Sequence, residues 1–99
     1  MGETLKLLRI FYGYKSVDMA KKLNISQSFL SEIENSKKNP TLELLKRYSK
    51  ILNIKVSTIV LLSESLEEDK NTKKDIKHNL AGVGMKVLKI LKKNGELDE

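Results

Sequence analysis

A chain of 99 residues, 39% hydrophobic and 32% charged, has the size of one domain with a short appendage and enough apolar material for a modest core. It has no cysteine, which excludes disulfides, thiolate metal sites and thiol catalysis, and its single His78 has no second imidazole with which to share a metal. The net charge of +6 is laid out in blocks: residues 1–62 carry 11 Lys/Arg against 5 Asp/Glu, 63–69 carry four acids and no base, 70–93 carry eight bases against one acid, and 94–99 carry three acids.

The apolar spacing then predicts helices in succession. Thr4 to Tyr12 places Leu5, Leu8 and Phe11 on one stripe, with Leu7 and Ile10 beside it. Gly13 follows as a left-handed C′ residue. A second helix starts near Ser16 and turns Met19, Ala20 and Leu23 inward. Asn24 is suited to a tight turn because Asn tolerates left-handed backbone. Ile25 plugs the core, and Ser26 caps a third helix that runs to about Asn35. Here Leu30 and Ile33 face inward, while Gln27, Ser28, Phe29, Ser31 and Glu32 point outward.

Residues 35–40 read as a loop. Thr41 caps a fourth helix with Leu42, Leu45, Tyr48, Ile51 and Leu52 at helical spacing, ended by Asn53. The run from Lys55 to Leu62 is β-branched and could be a strand, but no partner strand is available. A short fifth helix capped by Ser57 is the better reading. Residues 64–74 read as a charged linker, with helical periodicity returning over 75–93 and an acidic tail at 94–99. The fold class expected is all-α, with a five-helix domain over 1–63 followed by a C-terminal helix.

The informative stretch is Ser16 to Asn35, a short helix, an Asn-containing turn and a second short helix with a polar outer face. A helix of that length fits the DNA major groove, and its first residues reach base edges. Gln27 and Ser28 donate and accept without unpaired charge, and free amides at helix starts attract phosphate.

This stretch resembles the Cro/phage-repressor (XRE-type) helix-turn-helix family. The resemblance covers residues 5–62 and rests on Arg9, Gly13, the unbroken run from Met19 to Asn35, Asn39-Pro40, Leu45 and Leu52. It implies a lambda-repressor-like domain that binds double-stranded DNA. By position, it implies that Gln27, Ser28 and Glu32 read bases with Phe29 and Ser31 beside them. It also implies that Asn35, Lys37 and Lys38 approach phosphates, and that Arg9 and Glu34 form a salt bridge between the first and third helices. Two departures stand out. Ser16 occupies a position where the family often has a Gln that caps the second helix and touches phosphate, so Ser16 caps with a shorter reach and Lys15 supplies charge beside it. Ser36 stands where the family usually has Gly, which implies a slightly strained turn. Phe29 stays open between a partly buried ring and one lying against thymine methyl groups. Lys21, Lys22, Lys46, Arg47 and Lys50 read as solvated faces, and Tyr12, Tyr14 and Tyr48 as packing residues with a polar tip.

Ile76, Leu80, Val83, Val87 and Ile90 alternate in steps of four and three, with Leu91 widening the stripe. Self-association, docking on the chain's own core and adsorption to an anionic membrane all fit this pattern. Dimerisation through these residues is favoured, because the acidic linker separates the helix from the core and no Trp or Phe anchors it to lipid. The expectation is a homodimeric repressor on a two-fold operator, cytoplasmic, without cofactor, metal or enzymatic activity. The alternative is an antitoxin-like autoregulator that binds a protein partner through the C-terminal helix.

Overall fold

Helix boundaries fall where capping chemistry permits them. The computed structural model describes the backbone of residues 1–68 and 80–96 and the side chains of 1–66 and 84–96. Among these residues the chain forms six helices and no strand: α1 (Gly2–Phe11), α2 (Ser16–Leu23), α3 (Gln27–Glu34), α4 (Leu42–Leu52), α5 (Val56–Glu68) and α6 (Leu80–Lys93). None is long and apolar enough to cross a membrane. Ser26 Oγ accepts from the Phe29 amide at 3.0 Å, and Thr41 Oγ1 from the Leu44 amide at 3.1 Å, so both expected caps are made. Asn24 (φ 59°) and Asn53 (φ 56°) end α2 and α4 in the left-handed region, and Gly13 follows α1 at φ 80°. Ser36 takes φ 61°, a conformation that costs a residue bearing a Cβ about 1 kcal/mol.

Several details depart from expectation. The N-cap of α2 is Lys15, which makes no side-chain cap bond, and Ser16 lies inside the helix. Ser57 is exposed in the first turn of α5 and does not cap it. Leu42, the first residue of α4, is 60% exposed, and Leu44 takes its place in the core. α5 runs on to Glu68, through the start of the expected linker. Its extension has a tertiary cause, because Leu66 buries itself against Leu7 of α1. The expected linker from 69 to 74, the first residues of the C-terminal helix with Ile76 and His78, and the tail at 97–99 lie outside the described residues.

One core joins all six helices. Leu5 and Leu8 of α1, Met19 and Leu23 of α2, Leu30 and Ile33 of α3, Tyr48 of α4 and Ile59 and Leu62 of α5 are essentially inaccessible. Val87 and Leu91 of α6 belong to the same cluster, at 2% and 0% exposure. The C-terminal helix is therefore docked on its own chain at these two positions.

The approach of α1 to α3 is unusually close. A Cβ on Gly2 would lie 2.1 Å from the Ile33 carbonyl oxygen and 3.0 Å from Ser36 Oγ. Only a residue without a side chain lets the first turn of α1 seat against the end of α3.

Candidate nucleic-acid interface

α2, the left-handed Asn24 and α3 form a bihelical unit whose angle is fixed from three sides. Behind it lies the core. At its turn, Arg47 of α4 donates from Nη1 to the Leu23 carbonyl at 2.9 Å, bonding one of the last carbonyls of α2, and pairs with Glu43 at 3.2 Å. Arg47 was expected on a solvated face, and nothing in its i,i+4 pairing with Glu43 discloses the second bond. From α1, Arg9 reaches the end of α3 with two parallel bonds, Nε to Glu34 Oε2 at 2.7 Å and Nη2 to Glu34 Oε1 at 3.0 Å. Its Nη1 donates to the Tyr14 carbonyl at 2.9 Å. The side chains of Arg9 and Glu34 are only 12% and 7% exposed, so the pair is a bidentate, nearly buried bridge with a structural role.

Tyr48 packs beneath this bridge, fully buried, and its hydroxyl has no hydrogen-bond partner among the described residues. Burial pushes its phenol far above the ordinary range, with Glu34 raising it further and Arg9 opposing.

The outer face of α3 divides as its spacing requires. Leu30 and Ile33 point inward, whereas Gln27, Ser28 and Ser31 are exposed. Gln27 Nε2 donates to Ser16 Oγ at 3.1 Å, which ties the starts of the two helices together and gives Ser16 a partner other than its own helix. Asn35 Nδ2 donates to the Ser31 carbonyl at 2.9 Å and to Ser31 Oγ at 3.2 Å. Lys15, Asn35, Lys37 and Lys38 are exposed on the rim, and Ser16 is half-buried. Phe29 is intermediate, packing against the core and flanking a small cleft with Ile25, Thr41 and Leu44. Glu32 is partly exposed, 3.8 Å from Lys38 Nζ.

Ser16, Gln27, Ser31 and Asn35 line an open polar groove of about 250 Å³ between α1, the start of α2 and α3. Lys6 lines it beside Arg9, Ser16, Gln27 and Asn35, and is a basic residue that the sequence reading did not single out. Its spacing of three from Arg9 places both on one face of α1, which was the available signal.

The remaining predicted positions lie elsewhere. Val87 and Leu91, expected on a dimer seam, are buried in the core of the same chain, and Ile90 is partly buried against that core. The side chains of Ile76, Leu80 and Val83 lie outside the described residues. Beyond α6 the chain turns back, and Glu96 Oε1 accepts from Thr58 Oγ1 at 2.9 Å and from the Lys55 amide at 3.2 Å. A carboxylate from the acidic tail thus satisfies the start of α5, where the positive end of the helix dipole favours it. Burial raises the Tyr12 phenol, and nearby Glu96 adds to the effect.

Two short helices across a left-handed Asn turn, with one polar outer face and a basic rim, define the class of helix-turn-helix proteins. The helix-turn-helix family model matches residues 5–59, more than half of the chain, and the chain belongs to this family, in its XRE and phage-repressor type. It is 33% identical over 81 residues to an immunity repressor protein of Bacillus phage phi105, covering 77% of this chain and 56% of that protein. Against the HTH-type transcriptional regulator SinR of Bacillus subtilis it is 33% identical over 70 residues, covering 70% of this chain and 63% of that one. A competence pilus inhibition repressor of Acinetobacter baylyi is 30% identical over 78 residues, covering 79% of this chain and 71% of that protein. The chain thus spans between 56% and 63% of the length of the phage repressor and SinR. No solved structure matches it.

Proposed function

We propose that the chain is a sequence-specific DNA-binding transcriptional repressor that occupies a two-fold operator as a homodimer. The observation that carries this reading is the division of α3, with Leu30 and Ile33 held in the core while Gln27, Ser28 and Ser31 are exposed on the opposite side. A short helix fixed this firmly to the core, with amide and hydroxyl groups on its leading turns, suits insertion into a major groove. Gln27 and Ser28 read bases, with Phe29, Ser31 and Glu32 alongside. Lys15, Ser16, Asn35, Lys37 and Lys38 meet phosphates, and Lys6 lines the same polar groove. Relatives named as repressors support the repressor reading. The chain acts by binding, without catalysis, in the cytoplasm.

Two copies are required because one small module buries too little surface for useful affinity. With Val87 and Leu91 buried in the core and Ile90 packed against it, the proposed dimer contact rests on Ile76, Leu80 and Val83. The antitoxin-like alternative would have to use the same remaining positions.

The test compares operator-like and random duplexes across a salt series. Gln27→Ala is expected to weaken specific binding by roughly tenfold or more and leave random binding nearly unchanged. Equal losses on both would remove Gln27 from base reading and, with it, the proposed orientation of α3.

A further inference from the structure

Lys38 stands in the loop after α3, yet its side chain lies back across the outer face of that helix. Its Nζ is 3.8 Å from Glu32 Oε2 and 5.5 Å from the centre of the Phe29 ring. The loop backbone holds it there, because the amides of Lys37 and Lys38 both donate to the Glu32 carbonyl, at 2.8 and 3.2 Å. The aromatic face beneath the ammonium is within the range of a cation–π contact. The side chains of Lys38 and Glu32 remain 54% and 40% exposed, so both heads are open to solvent. An ion pair this exposed adds little to folding stability. What it presents outward is a carboxylate acceptor beside an ammonium donor, on the face assigned above to the major groove.

The major-groove edge of a G·C pair offers the complementary pattern. Guanine N7 and O6 are adjacent acceptors, and cytosine N4 is a donor about 2.9 Å from O6. An ammonium sits between the two acceptors while the carboxylate takes the N4 hydrogen. An A·T pair interleaves its groups, with the N6 donor between N7 and O4. A carboxylate bonded to N6 would then face an acceptor on each side. Neither residue does this work alone: without Lys38, Glu32 would bring a bare negative charge toward a polyanion, and without Glu32, Lys38 would be a point charge serving base and phosphate alike.

We infer that Glu32 and Lys38 form one composite reader of a single G·C pair in each half-site, Glu32 accepting from cytosine N4 and Lys38 donating to guanine O6 and N7. The inference rests on the DNA-binding reading above and changes the role of Lys38 from phosphate contact to specificity-determining residue. Lys37, whose side chain is exposed, keeps the phosphate role.

The experiment is selection of binding sites from a random duplex pool by the full chain and by Glu32→Ala, Lys38→Ala, Lys38→Arg and Lys37→Ala. The wild type is expected to enrich sites with one fixed G·C pair per half-site. Glu32→Ala and Lys38→Ala should each lose about tenfold or more of that preference, at the same position. Lys38→Arg, whose guanidinium also donates to guanine O6 and N7, should retain it, and Lys37→Ala should lose affinity evenly across sequences. A Lys38→Ala variant that weakens every sequence alike overturns the inference and returns Lys38 to the phosphates. A wild-type pool enriched in a sequence without a fixed G·C pair also overturns it, while leaving sequence-specific binding intact. A pool with no enriched sequence overturns that underlying reading as well.

Discussion

Replacing Leu91 with alanine measures whether α6 belongs to the folded domain. Leu91 is 0% exposed and shares its cluster with Leu8 of α1 and Ile59 of α5. Leu91→Ala removes three carbon atoms from a site enclosed by other helices. The lost transfer energy and the cavity left behind together cost about 2–5 kcal/mol. The same change on a solvated helix would cost less than about 0.5 kcal/mol. Urea unfolding followed by circular dichroism separates the two, since the midpoint should fall while the slope stays constant. For a chain of this size, each kcal/mol corresponds to about 4–8 °C in melting temperature, so the thermal shift should be at least about 8 °C. Glu96→Ala should move stability the same way by a smaller step, about 1 kcal/mol, because it strips the start of α5 of its acceptor. A Leu91→Ala variant within about 0.5 kcal/mol of the wild type would refute the docking of α6 and restore a detached C-terminal helix.

Other consequences are open to simple measurement. Arg9→Met leaves the Glu34 carboxylate unpaired at 7% exposure, and should cost about 3–5 kcal/mol in chemical unfolding. Gly2→Ala and Ser36→Gly should act in opposite directions on the melting temperature. The first sets a methyl 2.1 Å from the Ile33 carbonyl and loses about 1–3 kcal/mol, whereas the second relieves φ 61° and gains about 1 kcal/mol. Alkaline titration should find Tyr48 still protonated above the ordinary tyrosine range, read by tyrosinate absorbance. Below the ordinary tyrosine value of 10.0, both folded and unfolded chains keep the Tyr48 proton and this group leaves stability unchanged. Above it the unfolded chain ionises first, so stability falls by up to about 1.4 kcal/mol per pH unit until the fold is lost.

Local chemistry made much of the fold legible. Ser26, Thr41, Asn24 and Asn53 each stop or start a helix through bonds within four residues of themselves, and periodicity alone separates Leu30 and Ile33 from Gln27 and Ser28. The Arg9–Glu34 bridge joins residues 25 apart and was visible only through family resemblance. What stayed hidden depended on distant parts of the chain. The extension of α5 needs Leu7 to receive Leu66, and the start of α5 is capped by Glu96, a residue read as part of a featureless acidic tail. The apolar stripe of α6 has the same spacing whether it meets a second copy or its own core, so the pattern could not choose between them. Lys38 was legible as a charge, but its return over Phe29 and Glu32 depends on the path of a loop.

The tight seat of Gly2 has a practical side. Gly2 lies against Ile33, Glu34 and Ser36, so a peptide joined ahead of Met1 starts near the end of α3. If α3 enters the groove as proposed, a peptide fused there would stand close to the duplex, and a positively charged one would add affinity the protein does not have. Equilibrium constants measured with such a fusion would describe the tag and the recognition surface together.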